Sequence, residues 1–215
     1  MIQNNKISPT TTISEEIANG ITHGVGTLLA IAGLVLLVVQ AASQGNAWHV
    51  ISYSIFGSTM VLLYLSSTLY HSIQHTKIKV FLKIIDHSAI FLLIAGSYTP
   101  FLLVSLRGVW GWALFGIIWG LAITGIIFKS VYIHRFRILS VFIYIAMGWL
   151  VVIAMPQIIH ILNRTSLIFL IVGGLSYTLG TVFYIFKNIP FGHAIWHLFV
   201  LGGTITHFFA VLNIL

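Results

Sequence analysis

Long apolar stretches recur along almost the whole chain, and they constrain its fold more than any other feature. Each is close to the roughly 20 residues that a helix needs to cross a hydrocarbon layer about 30 Å thick. Lipid offers no hydrogen bonds to the backbone, and no stretch alternates like a barrel strand, so all are predicted to be helices. The predicted fold class is all-α, a polytopic membrane protein with seven transmembrane helices. The seven stretches are 20–42, 49–71, 84–106, 109–128, 138–155, 166–186 and 193–215.

The composition supports a lipid environment. Only 6% of the 215 residues are charged and 59% are hydrophobic, whereas about a quarter of the residues of a soluble protein are charged. Residues 1–13 are polar and rich in Ser and Thr; they are predicted to be a disordered tail without a removable signal peptide. Residues 14–215 are predicted to form one transmembrane domain. The chain has no cysteine, which excludes disulfides and thiolate metal sites.

The distribution of Lys and Arg predicts the orientation in the membrane. With seven spans, the N-terminus and the 2–3, 4–5 and 6–7 connections lie on one side, and they carry eight basic residues against two on the other. Basic residues are retained in the cytoplasm, so the N-terminus is predicted to be cytoplasmic and the C-terminus outside, in a multi-pass cell membrane protein. The eight are Lys6, Lys77, Lys79, Lys83, Lys129, Arg135, Arg137 and Lys187; the two are Arg107 and Arg164.

The net charge of +7 could also suggest a nucleic-acid partner. Here, however, the basic residues stand singly or in small groups between apolar runs, as they do in cytoplasmic loops. No nucleic-acid partner is expected.

Three polar features occupy predicted spans. A carboxylate at Asp86, in the third span, is costly and normally faces a polar cavity or a partner; the alternative is an acid at a helix end, either solvated at the interface or paired with Lys83. His193 and His197 share a helix face and could bind one ion, or be two hydrogen-bonded interfacial histidines. Ser67 and His71 have the same spacing at the end of the second span.

Ser67 and His71 also have simple alternative interpretations. The serine hydroxyl could bond back to the carbonyl four residues earlier, and the histidine could be interfacial. The predicted topology nevertheless places both in the layer that holds Asp86, His193 and His197. The second helix ends in the cytoplasm, and the third and seventh begin there, so the five residues lie within about 10 Å of one another along the membrane normal.

Three imidazoles with an open fourth position are a familiar arrangement for catalytic zinc. Zinc can lower the pKa of a bound water to about 7. Asp86 would then orient that water and accept its proton, while Ser67 would help to hold the water or an oxyanion, or orient an imidazole. A lipid linkage at this depth would be the natural substrate.

Four motifs give the chain its resemblance to a known family. It resembles the bacterial hemolysin III proteins, which are related to the progestin and adipoQ receptors and to alkaline ceramidases. The likeness covers nearly all of residues 14–215, and the motifs are specific only in combination. They are Glu15-Glu16-Ile-Ala-Asn19-Gly-Ile-Thr-His23-Gly, Ser67-Thr-Leu-Tyr-His71, Asp86-His87-Ser88 followed by Gly96-Ser-Tyr-Thr-Pro100-Phe, and His193-Ala-Ile-Trp-His197.

The resemblance implies a seven-helix fold and an intramembrane Zn²⁺ held by His71, His193 and His197, with Asp86 and Ser67 beside the metal-bound water. Eukaryotic relatives of this type are linked to hydrolysis of the ceramide amide. The bacterial branch is named for haemolysis and has been described as pore-forming. Membrane lipids are the expected partners, and nothing in the sequence points to a particular oligomeric state.

Two classes of function remain open. One is a zinc-dependent intramembrane hydrolase of a lipid amide or ester. The other is a pore-forming, cytolytic or receptor-like membrane protein in which the metal only pins the second and seventh helices together. Asp86 favours the hydrolase, because a closed structural site needs no base beside it.

Several other residues have no assigned role. Glu16, Asn19 and His23 share the predicted layer; they either surround the ligands or line a cavity mouth, or are a helix-start acid and its neighbours. His75 is a poor ligand candidate because it lies among loop residues. His87 is predicted to point about 100° away from Asp86. His207 is expected to bond to another helix, and the glycine pairs Gly116/Gly120 and Gly173/Gly174 to permit close helix packing.

Overall fold

The computed structural model describes residues 12–133 and 135–215, in which every regular element is helical and no strand occurs. The all-α prediction is confirmed. A π-helical turn, Phe101–Ser105, follows the third helix directly. The α-helices are α1 Ile13–Gln44, α2 Ala47–Ser72, α3 Thr76–Pro100, α4 Val109–Val131, α5 Arg137–Gly148, α6 Val151–Ile161, α7 Arg164–Ile185 and α8 Gly192–Leu212.

Six helical segments are long and apolar enough to cross a membrane: α1, α2, α4, α7, α8, and α5 together with α6. The outside of the bundle is correspondingly apolar, with Leu28 70% exposed, Phe142 62% and Leu179 57%. Within the described residues, helix α3 does not meet the same combined criteria of length and hydropathy and is not one of the six. Its first half carries Lys77, Lys79, Lys83 and Asp86.

Helix α1 begins inside the segment predicted to be a disordered tail. Thr12 caps it: its side-chain oxygen accepts from the backbone N–H of Glu15, whose carboxylate accepts in turn from the N–H of Thr12. This reciprocal capping satisfies two backbone donors and favours a helix start at this point. Ile13 is therefore helical, contrary to the prediction, and residues 1–11 lie outside the described part of the chain.

The fifth predicted span, 138–155, is two helices instead of one. Helix α5 ends at Gly148 and α6 begins at Val151. The Tyr98 hydroxyl of α3 fills the break, donating to the Gly148 carbonyl at 2.6 Å and accepting from the Val151 N–H at 2.8 Å. A side chain from a distant part of the sequence thus replaces the missing intrahelical bonds.

The helices pack in a closed ring around a cavity. Helix α1 contacts α2 and α8, α2 contacts α3, α3 contacts α4 and α5, and α5 contacts α7, which contacts α8. Glycines mark the close approaches. A Cβ at Gly57 would lie 2.4 Å from Leu34 Cδ1 and 3.0 Å from its Cα, and one at Gly173 would lie 2.2 Å from the His207 ring.

The predicted packing role is wrong for Gly116 and Gly120. Among the described residues, a Cβ at either position would meet nothing within 4 Å, so neither mediates helix packing within this chain. Gly174 is also loosely packed, since its nearest neighbour, Trp149, is 4.0 Å away. The prediction holds for Gly173.

We expect Gly57→Ala to destabilise the bundle, because the new Cβ would press on the Leu34 backbone, which cannot rotate away. Overpacking of this kind costs about 1–2 kcal/mol, which lowers Tm by about 2–8 °C for a chain of this size. Gly120→Ala is the matched control and should leave Tm unchanged or raise it. Thermal unfolding of both variants in detergent measures the difference. Equal losses would contradict this packing.

Candidate metal centre and adjoining cavity

Three histidines from two helices converge at one end of the bundle. His71 lies in the last turn of α2, and His193 and His197 lie in the first two turns of α8. One ring nitrogen from each lies within 4.8 Å of the other two. The ring centroids are separated by 5.1, 5.3 and 4.5 Å. The structure thus brings together the three residues that the sequence predicts as metal ligands.

The hydrogen bonds of this triad leave its inner nitrogens free. His71 Nδ1 lies 2.7 Å from Glu16 Oε2, and His197 Nδ1 lies 3.1 Å from Thr22 Oγ1. The Nε2 atoms of His71, His193 and His197 are buried and have no hydrogen-bond partner among the described residues. A buried polar atom left unpaired costs about 1–3 kcal/mol. Three such atoms, on rings that bring one nitrogen each within 4.8 Å of the others, fit a cation ligated by neutral imidazoles.

Glu16 and Thr22 have the geometry of groups that orient metal ligands. Ligating histidines usually bond through their other ring nitrogen, which fixes the tautomer and the ring orientation. Glu16 is itself fixed, because Lys79 Nζ lies 3.3 Å from its Oε1. Glu16 belongs to the layer predicted from the sequence, whereas Thr22 is not among the predicted site residues, because it belongs to none of the i, i+4 pairs or the i, i+3, i+7 set that indicated them.

Ser67 and Asp86 both lie near the triad. Ser67 is one turn before His71 and fully buried, and its Oγ has no partner in the described chain. The predicted alternative, a bond back to its own helix, is therefore not found. Asp86 is 6% exposed and lies close enough to His71 and His23 for their charges to interact.

Asp86 forms no ion pair with Lys83, one of the two alternatives that the sequence suggested, and at 6% exposure it is not a solvated acid, which was the other. Among the described residues its one ion pair is with His87, whose Nδ1 lies 3.4 Å from Oδ2. The prediction that His87 points away from Asp86 is thus wrong. A bond between His87 Nδ1 and the Lys83 carbonyl, at 2.9 Å, turns the ring back along the helix towards Asp86.

Helix α1 contributes further polar groups to the same end of the bundle. The His23 ring stacks on His197 with centroids 3.5 Å apart and packs edge-on against Tyr64. Both His23 nitrogens and the side-chain amide of Asn19 are buried and lack partners within the described chain. His75 is exposed at the start of α3 and is not part of this group.

A cavity of about 150 Å³ adjoins the triad. Asp86 and His23 lie at one end, and His207, which bonds to the Leu170 carbonyl of α7 as the sequence predicts, lies at the other. Along α3 and the π-helical turn the lining runs from Asp86 to Leu102, which corresponds to about 24 Å. The walls between are almost entirely apolar.

Two residues that line the cavity are also substantially exposed. Ile117 of α4 and Ile171 of α7 both line it and are 51% and 40% exposed. An apolar molecule could therefore contact the cavity wall from the side of the bundle.

Fold and site together define a multi-pass helical membrane protein with a buried three-histidine centre beside an apolar cavity. The chain belongs to the haemolysin-III related family, whose model matches residues 11–208. The predicted resemblance is confirmed. Membership of this family, with six apolar helices, also agrees with the predicted location in the cell membrane.

Similar proteins cover nearly the whole chain. It is 56% identical over 201 residues to the hemolysin-3 homolog of Bacillus subtilis (strain 168), covering 94% of each chain. It is 50% identical over 200 residues to hemolysin-3 of Bacillus cereus, covering 93% of this chain and 91% of the relative. The monocyte to macrophage differentiation factor of Homo sapiens is 33% identical over 211 residues, covering 93% and 84%.

We expect Glu16→Gln to weaken metal binding by the triad. The change keeps the size of the side chain but replaces a charge-assisted bond to His71 Nδ1 with a neutral one. Loss of such an orienting group typically lowers metal affinity about 10–100-fold. Competition between purified protein and a fluorescent zinc chelator measures the affinity.

Glu15→Gln is the matched control, because Glu15 binds the Phe191 N–H and Thr12 and is not hydrogen-bonded to any imidazole of the triad. Its zinc affinity should equal that of the wild type. Equal affinities for the wild type and Glu16→Gln would show that Glu16 does not orient a ligand.

Proposed function

We propose that the protein is a zinc-dependent intramembrane hydrolase that cleaves an amide or ester bond of a lipid. One observation carries this proposal: three imidazoles with buried, unpaired Nε2 atoms converge near Asp86, which lines one end of an apolar cavity. The triad suits a metal, the carboxylate suits proton transfer, and the cavity suits a hydrocarbon chain.

The proposal includes a seven-span topology, with α3 as the additional span, the N-terminus in the cytoplasm and the C-terminus outside. Helix α3 has 25 residues, which is about 37 Å and longer than the hydrocarbon layer. It packs between α2, α4 and α5, so its polar first half need not face lipid. The excess of Lys and Arg in the connections at the triad end supports the orientation.

Zinc is the metal proposed for the triad because three neutral imidazoles are a common ligand set for catalytic zinc. His71, His193 and His197 would hold it. When bound, Zn²⁺ would supply Lewis-acid polarisation of a water molecule or a substrate carbonyl.

The protein's own residues would carry the rest of the reaction. The Asp86 carboxylate would accept a proton from water as its oxygen forms a bond to the carbonyl carbon, and would return that proton to the leaving nitrogen or oxygen as the old bond breaks. The free Ser67 hydroxyl would donate to the developing oxyanion. The apolar walls would hold the lipid chain and exclude bulk water.

A second candidate is a cytolytic or pore-forming membrane protein in which the metal only joins α2 to α8. The names of the two Bacillus relatives favour it. This hypothesis requires the same three ligands as the hydrolase. It differs because it gives Asp86 no role in catalysis.

The topology predicts which ends of α3 are accessible from outside the cell. The chain has no cysteine, so single cysteines can be introduced at His75, before α3, and at Val109, after the π-helical turn. An impermeant maleimide applied to intact cells should label Val109→Cys, and should label His75→Cys only after lysis. Labelling of both from outside would refute a crossing by α3, and the reverse pattern would refute the orientation.

We expect Asp86→Asn to abolish lipid hydrolysis while zinc content stays equal to that of the wild type. General acid–base catalysis contributes about 10²–10⁴-fold, and an amide cannot accept the proton. Purified, zinc-loaded protein is assayed by mass spectrometry against ceramides, other lipid amides and lipid esters. Glu15→Gln, the same chemical change outside the site, should retain activity.

Loss of zinc together with activity in Asp86→Asn would assign Asp86 to metal binding. No turnover of any of these lipids by the wild type, together with conductance in planar bilayers, would support the pore instead.

A further inference from the structure

Four basic side chains gather at the same end of the bundle as the triad. Lys83 lies in α3, Lys129 near the end of α4, Arg137 at the start of α5 and Lys187 after α7. Lys83 is close enough to Lys187, Arg137 and Asp86 for their charges to interact, and the charge of Lys129 interacts with those of Lys83 and Arg137. These four residues are called the basic cluster below.

No carboxylate in the described chain forms an ion pair with the basic cluster. The sequence has three acidic residues. Glu15 binds Thr12 and the Phe191 N–H, Glu16 pairs with His71 and Lys79, and Asp86 pairs with His87. Asp86 interacts with Lys83 at longer range, so the acidic residues offset only part of the positive charge of the four basic side chains.

The least expected member of the cluster is Lys129. It is only 2% exposed, and its ammonium group donates to the Ser140 hydroxyl at 2.9 Å. A buried ammonium with a neutral partner is costly. An apolar side chain of similar volume at position 129 would avoid this cost. A lysine at this position is therefore better explained by a role in binding.

The basic cluster borders the cavity. The Arg137 guanidinium lies over the Tyr184 ring, 4.5 Å from its centroid, and donates to the Tyr184 carbonyl. Tyr184 lines the cavity, and so does Asp86, one helical turn after Lys83. A positive site therefore adjoins a long apolar space, the combination expected for a lipid with a negatively charged headgroup.

We propose that the basic cluster binds a phosphate group, carried by an anionic phospholipid whose hydrocarbon chain enters the cavity. Basic pockets between transmembrane helices bind such headgroups elsewhere, and Arg and Lys supply charge-assisted hydrogen bonds to phosphate oxygens. The binding is independent of the proposed hydrolysis. A lipid bound in this way would have its ester or amide linkage near Asp86. Only the cleavage of that linkage rests on the proposed function.

Native mass spectrometry of the full chain, purified in a mild detergent, tests the proposal. Phosphatidylglycerol should bind saturably and more tightly than phosphatidylcholine, and inorganic phosphate should bind far more weakly than either. Lys83→Gln should weaken phosphatidylglycerol binding about fivefold, the effect expected for one basic charge near an anionic lipid. Lys77→Gln is the matched control: Lys77 is exposed in α3 and outside the cluster, so affinity should not change.

Lys129→Met adds a second measurement. It should weaken phosphatidylglycerol binding by a similar factor while raising Tm of the lipid-free protein, because an unbalanced buried charge is removed. A lower Tm with unchanged lipid affinity would assign Lys129 a purely structural role and overturn its place in the site.

Three other results would overturn the proposal. Equal affinity for phosphatidylglycerol and phosphatidylcholine would show that charge is not recognised. Equal losses in Lys83→Gln and Lys77→Gln would show a diffuse surface effect. Tight binding of inorganic phosphate, without preference for the lipid, would assign the cluster to a free anion. None of these measurements uses hydrolysis, so the proposed function can fail separately.

Discussion

Polar atoms enclosed in an apolar interior must find partners, and the lipid around this bundle offers none. Most buried hydroxyls meet this requirement locally: Thr27, Ser52 and Thr99 each donate to the carbonyl four residues earlier. In the described chain, the unpaired atoms are concentrated around the histidine triad and in the neighbouring Asn19 and His23. Each buried polar atom without a partner costs about 1–3 kcal/mol. Their concentration at one place therefore indicates that a ligand binds there.

The same requirement fixes the helices that carry the triad. In lipid, helices associate through close packing and interhelical hydrogen bonds, since burying apolar surface brings little gain. On α2, the Tyr53 hydroxyl donates to the Val211 carbonyl and the Tyr64 hydroxyl to Thr204 Oγ1; on α7, Ser166 donates to the Ala210 carbonyl. All three bonds end on α8. The two from α2 tie that helix to α8, and so help to hold His193 and His197 near His71, while the third ties α7 to α8.

The sequence predicts helices well because in lipid an apolar run of spanning length has few alternatives. It also predicts the His193/His197 pair, because an i, i+4 pair shares a helix face whatever the tertiary structure is, whereas His71 joins them through the predicted depth in the membrane and the family resemblance. It could not predict the break between α5 and α6, which depends on a tyrosine hydroxyl from α3. The Thr22–His197 bond could not be predicted for the same reason, because it joins residues 175 positions apart in the sequence. The sequence also could not show that Gly116 and Gly120 face no neighbouring helix in the described chain. A pair of glycines four residues apart permits close packing but does not show whether another helix lies opposite it.

The lining of the cavity bears on the choice between hydrolase and pore. A conducting path needs polar groups or water to replace the hydration shell of an ion. Between Asp86 and His207 the walls are mainly aliphatic and aromatic side chains, so an ion there would be poorly stabilised. A hydrocarbon chain needs apolar walls instead, and the half-exposed Ile117 and Ile171 of the lining are themselves apolar. A few hydroxyls lie between the ends, but the carboxylate and the imidazoles of the lining are confined to them, with Asp86 and His23 at one end and His207 at the other. This separation suits a molecule with a polar linkage and a long apolar tail, and it makes the hydrolase the better explanation of the site.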